Sequence, residues 1–211
     1  DVGRISQDKI QLQKERLDLG VVVRRAVESC EPLISSRNHK LRVQLPDEAL
    51  PVEGDLVRLT QVLSNLLNNA AKYTPEGGQI ALLVRREEDT AVVDVRDTGV
   101  GFVPEMRARL FELFTQSERT LDRAAGGLGI GLTLVKRLTE MHGGGVDASS
   151  EGLNRGSTFR VWLPLSSGPA PEPSEAHALA PSAAPPTRRG VLVVEDNPDS
   201  LRTLTRLLEV V

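Results

Sequence analysis

Asn65 and Asn69 stand four residues apart, with Lys72 and Tyr73 about a turn further on. On a helix that spacing puts both amides on one face. An amide oxygen is a hard, neutral donor suited to Mg2+, and the Lys72 ammonium suits phosphate oxygens. The same residues also fit a solvated polar face near a helix end. Asp97-Thr98-Gly99-Val100-Gly101 directly follows an alternating apolar run. A carboxylate there, beside two glycines that let backbone come close, can accept a hydrogen bond from an exocyclic amine such as that of adenine. A plain turn after a strand is the other reading. Gly126-Gly127-Leu128-Gly129-Ile130-Gly131 opens an amphipathic stretch. Glycines at a helix start expose backbone N–H groups and the positive end of the helix dipole, which together attract phosphates. A flexible hinge is the alternative there. A dinucleotide fingerprint is not, because a polar loop precedes the glycines where a strand would be needed.

The elements that must hold these groups follow from periodicity. Asp55 caps the strongest helix, with Leu56, Leu59, Leu63, Leu66, Leu67 and Ala70 as one apolar stripe, ended by Pro75 and Gly77-Gly78. Two alternating runs, Ile80-Leu82-Val84 and Ala91-Val93-Val95, read as paired strands joined by a charged connector. Pro104 opens a short helix ending near Phe111. The polar stretch Thr115 to Gly127 has the character of a mobile loop. A helix is expected from about Leu128 to His142, with Leu132, Val135, Leu138 and Met141 inward and Gly143 as its stop. Strands near Val146 and over Ser157 to Leu165 close the unit.

Upstream, Asp1 to Arg16 reads as the tail of a helix with Val2, Ile5 and Leu12 apolar. Asp18 then caps a helix bearing Val22, Ala26, Cys30, Leu33 and Ile34, and Leu41, Val43 and Leu45 alternate as a strand with one buried face. Downstream, Ser166 to Thr187 is rich in Pro, Ala and Ser without period, a linker composition. The last segment sets the apolar run Val191 to Val194 before Glu195 and Asp196, followed by a helix with Leu201, Leu204, Leu207 and Leu208. The contiguous strands mixed with helices indicate an α+β sandwich.

Bulk properties bound the function classes. A chain of 211 residues, 39% hydrophobic and 26% charged, is an ordinary globular composition with room for one well-buried domain and appendages. A formal charge of −3 without a long basic run argues against a nucleic-acid surface. No apolar run approaches the roughly 20 residues of a membrane span. Cys30 is the only cysteine, has no internal disulfide partner and falls in an apolar pattern, which fits core packing in a reducing cytoplasm. The chain starts on Asp and is expected to be a piece of a longer protein.

The stretches QVLSNLLNNAAKYT, DTGVGF, LFELFTQ, GGLGIGLTLVKRLTEMHGG and GSTF occur in that order. Their succession resembles the ATP-binding catalytic domain of sensor histidine kinases, in the superfamily that also holds DNA gyrase, Hsp90 and MutL. The likeness covers roughly Asp18 to Leu165. It implies a two-layer α/β sandwich of the Bergerat type with a mixed, largely antiparallel sheet, plus an N-terminal helix and a C-terminal βα piece. It also implies ATP as substrate and Mg2+ as cofactor. Asn69 then resembles the Mg2+ ligand with Asn65 assisting, and Lys72 and Tyr73 the phosphate and nucleotide contacts of that box. Asp97 resembles the adenine-reading carboxylate, and Gly99 and Gly101 the close-approach positions. Gly127, Leu128, Gly129, Gly131 and Leu132 belong to the phosphate-side loop and helix start. Arg119 and Arg123 fall in the lid, Arg123 being the better γ-phosphate contact. Phe111 and Phe114 anchor the lid, and Thr158 lines the adenine pocket.

In ATP-hydrolysing relatives a glutamate one turn before the Mg2+ asparagine activates water. Asn65 holds that place here and cannot act as a general base. The resemblance therefore implies a site that keeps the γ-phosphoryl for transfer, by positioning and charge neutralisation. The implied division is 1–17, the end of a dimerising phosphoacceptor hairpin; 18–166, the catalytic domain; 167–189, the linker; and 190–211, the truncated start of a response-regulator receiver domain. There Glu195 and Asp196 would help hold Mg2+. The histidines His39, His142 and His177 precede a strand, end a helix and lie in the linker, so none reads as the acceptor. Partners implied are ATP, an acceptor-histidine hairpin and a receiver domain or response regulator. A slow ATPase is the reading that Asn65 counts against. An ATP-gated module without phosphotransfer is the alternative that stays open.

Overall fold

The computed structural model describes residues 11–107, 109–112 and 130–167. Strand β1 (Glu15–Asp18) leads into helix α1 (Leu19–Ser36), followed by strands β2 (Lys40–Gln44) and β3 (Pro51–Gly54) and helix α2 (Leu56–Tyr73). Strands β4 (Gln79–Glu87) and β5 (Thr90–Asp97) form a hairpin, and a 3-10 turn spans Pro104–Met106. Helix α3 (Gly131–Met141) and strands β6 (Gly145–Ser149) and β7 (Ser157–Pro164) complete the described part.

Five strands form one sheet in the order β2-β4-β5-β7-β6, in which only the β2–β4 pair is parallel. One face of it carries Leu82, Val93, Val95 and Val161, and against these pack Val22, Val23, Leu66, Leu67 and Leu138 from the helices, each at most 1% exposed. This is the expected two-layer α+β sandwich. Each fully buried leucine in it contributes on the order of 1.5–3 kcal/mol, so the seam between the layers holds the fold together. Cys30 lies in that seam, 1% exposed, as its apolar setting suggested.

Helix α2 is specified at both ends. The Asp55 side chain accepts from Arg58 N at 3.1 Å, satisfying one of the free amides of the first turn. Thr74 takes extended backbone before Pro75, as a residue preceding proline tends to do. Beyond it, Arg37 donates to the carbonyls of Lys72 (3.2 Å) and Thr74 (3.4 Å), covering acceptors that the helix end leaves open. Asp18 caps α1 as expected, accepting from Gly20 N at 3.2 Å.

Several expectations are corrected. Residues 11–14 carry no helix, and Glu15–Asp18 form a strand paired antiparallel with β3, so the helical reading of Asp1 to Arg16 fails over its described part. Pairing with β3 buries Leu17 to 7% exposure and satisfies backbone groups that an isolated helix tail would leave to water. Val2 and Ile5 lie outside the described residues. Strand β2 does form but stops at Gln44, so Leu45 lies past its end; Val43 is 38% exposed at the edge of the sheet, as is Leu45 beyond it. The short helix after Pro104 is a single 3-10 turn followed, among the described residues, by hydrogen-bonded turns to Phe111. The linker from 168 and the Val191 to Val211 segment, with Glu195 and Asp196, lie outside the described residues, as does His177.

Candidate functional site

Asp97 ends β5 and is drawn in between backbone groups. Gly99 N donates to its Oδ1 at 2.8 Å, and the Ser157 hydroxyl, from the facing end of β7, donates to Oδ2. Burial pushes the carboxyl above the ordinary carboxylate range, while the Ser157 and Gly99 hydrogen bonds oppose that rise. A half-desolvated carboxylate at a strand end, held by neutral donors and with no cation against it among the described residues, is poised to accept from a neutral amine.

The two glycines beside it are required by geometry. A side chain at Gly99 would put Cβ 2.5 Å from the Tyr73 carbonyl oxygen. Gly101 has φ +58° and would put Cβ 2.3 Å from the Gly152 carbonyl oxygen. Val100 N donates to Tyr73 O at 3.1 Å, and Gly156 N to Gly99 O at 3.0 Å. The loop is thus fastened to the last residue of α2 on one side and to the β6–β7 turn on the other. Phe102 and Phe159, from separate motifs, close this end with ring centroids 6.4 Å apart.

Asn65 and Asn69 are both half-buried on α2, on the face the spacing predicted. The amide nitrogen of Asn65 is buried without a hydrogen-bond partner among the described residues. Such a group costs on the order of 1–3 kcal/mol until something satisfies it. Gly131, the first residue of α3, lies beside it: a Cβ there would be 3.9 Å from Asn65 Oδ1. The residue before α3, Ile130, provides no side-chain cap, so the first amides of that helix have no capping acceptor from it. Lys72 Nζ sits 5.3 Å from the centroid of the Tyr73 ring, a cation–π pair at the other end of α2.

The groups lie along α2 in a line, the trough, from Asn65 beside Gly131 to Tyr73 beside Gly99. From Asn65 to Tyr73 a helix rises about 12 Å. One end presents a carboxylate with close-approach glycines, the other a helix N-terminus beside an unsatisfied amide. Such a trough suits an elongated ligand with an amine-bearing base at one end and a polyanion at the other. The amide oxygens of Asn65 and Asn69 are neutral hard ligands of the kind a divalent cation takes, and the unpaired Asn65 amide N–H is free to donate to a phosphate oxygen.

Of the sequence-derived residues, the structure brings together Asn65 with Gly131, the Tyr73 carbonyl with Gly99, and Gly99 with Asp97. Leu132 is partly buried against the core in the first turn of α3. Phe111 also packs against the core, in keeping with an anchoring role. Phe114, Arg119, Arg123, Gly126, Gly127, Leu128 and Gly129 lie outside the described residues. Thr158 is corrected. It pairs with Arg96 on β5 and Ser149 on β6, one residue out of phase with Ser157, so strand alternation turns it to the face away from Asp97. Ser157 takes the place assigned to it. The signal was available, because Phe159 is an apolar core residue and position 157 shares its face.

A compact domain with this sheet, this helix pair and this trough belongs to the class of α/β nucleotide-binding domains. A family profile described as "Histidine kinase-, DNA gyrase B-, and HSP90-like ATPase" matches residues 54–167, and the chain belongs to that family. It is 35% identical over 191 residues to the circadian input-output histidine kinase CikA of Thermosynechococcus vestitus, covering 84% of this chain and 26% of that protein. It therefore spans about a quarter of that relative's length. Among solved structures, the mycobacterial sensor histidine kinase MprB matches at TM-score 0.63 and 27% identity, covering 72% of this chain and 97% of that one. Full-length ShkA in complex with AMPPNP matches at TM-score 0.67 and 30% identity, covering 76% and 33% of the respective chains. The described domain is accordingly the ATP-binding catalytic domain of the histidine kinase type.

Proposed function

We propose that the domain binds ATP with Mg2+ and presents the γ-phosphoryl for transfer to a histidine on a separate helical hairpin. The observation that carries this is the pairing, on one helix, of an Asn65 that lies beside the first residue of α3 with an Asp97–Ser157 end fastened to Tyr73. Asp97 accepts from the exocyclic amine of adenine, and Ser157 and Gly99 N hold its two oxygens in place. Gly99 and Gly101 keep that end open to the ring. Asn69, assisted by Asn65, holds the cation, and Lys72 with Tyr73 contacts the nucleotide. The amides opening α3 take up phosphate charge, with Gly127, Leu128, Gly129 and Arg123 acting from the segment that precedes it. A Mg2+ ion held by Asn69 and Asn65 would supply charge neutralisation for the phosphates. No carboxylate stands at position 65 to deprotonate water, which favours transfer over hydrolysis.

His39 and His142 support an acceptor elsewhere, since they are 8% and 3% exposed and each is hydrogen-bonded within the domain. The sequence VLVVEDNPDS supports a receiver domain following the linker, with Glu195 and Asp196 at its Mg2+ site, and hence a phosphorelay partner. A cytoplasmic location accompanies ATP as substrate. No helix among the described residues is long and apolar enough to cross a membrane.

The reading is tested by incubating the chain with γ-labelled ATP and an acceptor hairpin added in trans. Acid-labile, alkali-stable label on the hairpin is the expected result, and it disappears with Asn69→Ala. Nucleotide binding without any histidine label would favour the alternative, a nucleotide-gated module without transfer.

A further inference from the structure

The two helices that flank the nucleotide trough also meet at their far ends. Helices α2 and α3 lie antiparallel, with Asn65 beside Gly131 at one end and Asp55 beside His142 at the other. Ten residues separate Asp55 from Asn65 and eleven separate Gly131 from His142, so the arms are about 15 and 16 Å long. His142 closes α3 and is 3% exposed. Its Nδ1 lies 2.6 Å from the Leu138 carbonyl oxygen, and its Nε2 accepts from Asp55 N at 3.0 Å. These two bonds require the neutral tautomer with the proton on Nδ1. Backbone closes on the ring as well, since a Cβ at Gly54 would lie 3.1 Å from His142 Cδ2.

Asp55 is itself the cap of α2, and its Oδ2 accepts from Gln13 N at 3.0 Å. Lys14 Nζ donates to Met141 O at 2.8 Å. The start of α2 and the end of α3 therefore meet at one imidazole, and the incoming chain is fastened to the residues on either side of it, Asp55 and Met141. At its other end Ile130 gives α3 no side-chain cap, so among the described residues its placement along α2 rests on face packing and on this junction. We infer that His142 is a positioning residue for the nucleotide site, setting the register in which the first amides of α3 face Asn65. The inference rests on the nucleotide reading above.

The test compares His142→Asn, His142→Gln and the control Val23→Ala with the parent chain. Asparagine retains a donor for Leu138 O and cannot reach Asp55 N, whereas glutamine keeps an acceptor where Nε2 stands. Val23 is fully buried in α1, away from both helix ends. Affinity for ADP with Mg2+ is measured by calorimetry at a temperature where circular dichroism finds every variant folded, and Tm is recorded alongside. His142→Asn is expected to weaken binding about tenfold, the scale of one misplaced hydrogen-bonding set, and His142→Gln by less than about threefold. Val23→Ala lowers Tm and leaves Kd unchanged. A residue that only stabilises would move Tm alone, so an unaltered Kd in His142→Asn overturns the inference while the nucleotide reading stands. Absence of binding by the parent chain overturns both.

Discussion

Asp97 is the residue at which stability and function oppose each other. Its carboxyl lies above its ordinary value because of burial, so between that value and the raised one the folded state holds more protons than the unfolded chain. Stability therefore falls as pH rises through that window, and at neutral pH the charge is a cost. Asp97→Asn removes the charge yet can still accept from Gly99 N and pair with the Ser157 hydroxyl. The expected outcome is a Tm at pH 7 equal to or above that of the parent, with nucleotide binding lost. A scan of Tm against pH should show the two proteins converging as pH falls below about 4. Loss of both binding and stability would contradict this account. Gly101→Ala acts oppositely. Its φ of +58° and the 2.3 Å approach to Gly152 O leave no room for Cβ. A cost of about 2 kcal/mol or more follows, read as a Tm drop of roughly 4–8 °C.

Among the elements, the sheet owes part of its cohesion to a group on its outer face. Asp94 on β5 is fully buried and meets Arg85 of β4 at 2.8 Å, Arg160 of β7 at 2.9 Å and Arg96 at 3.4 Å. Burial works to raise its carboxyl, and the Arg160 and Arg85 hydrogen bonds overcome that and hold it below the usual range. Asp94→Ala leaves three guanidinium groups without their shared acceptor. They are 35–53% exposed and can turn to water, so the expected loss is about 1–3 kcal/mol by chemical denaturation, with nucleotide affinity unchanged. The elements also differ in how far sequence alone reveals them. Helix α2 and its amide face are legible because cap, apolar period and Pro75 stop all lie within one stretch. Strand β1 is not, because its four residues pair with Gly54 to Pro51, more than thirty positions away. The same holds for His142, whose partner Asp55 is 87 residues distant, and which reads locally as an incidental helix end. Ser157 was within reach through strand parity, and the adjacent hydroxyl of Thr158 took its place. Edge position, which exposes Val43, is a property of strand order that alternation does not encode.

For the molecule as a whole, the α2–α3 pair is the lever and the strand ends are the fulcrum. One end of α2 is tied through Tyr73 to the Asp97 loop, and the other through Asp55 to His142 and Gln13. Residues 13–14 are hydrogen-bonded to both helices, Gln13 to the Asp55 cap of α2 and Lys14 to Met141 at the end of α3. The central claim is that this trough is a Mg2+-dependent adenine nucleotide site. It is tested most directly by calorimetric titration of ADP and a non-hydrolysable ATP analogue, with and without Mg2+, into the parent chain, Asn69→Ala and Asp97→Asn. The expected result is binding by the parent chain that strengthens with Mg2+, loss of the Mg2+ effect in Asn69→Ala, and no binding by Asp97→Asn at either condition. Folded parent chain that takes up neither nucleotide, or variants that bind as the parent does, would contradict it.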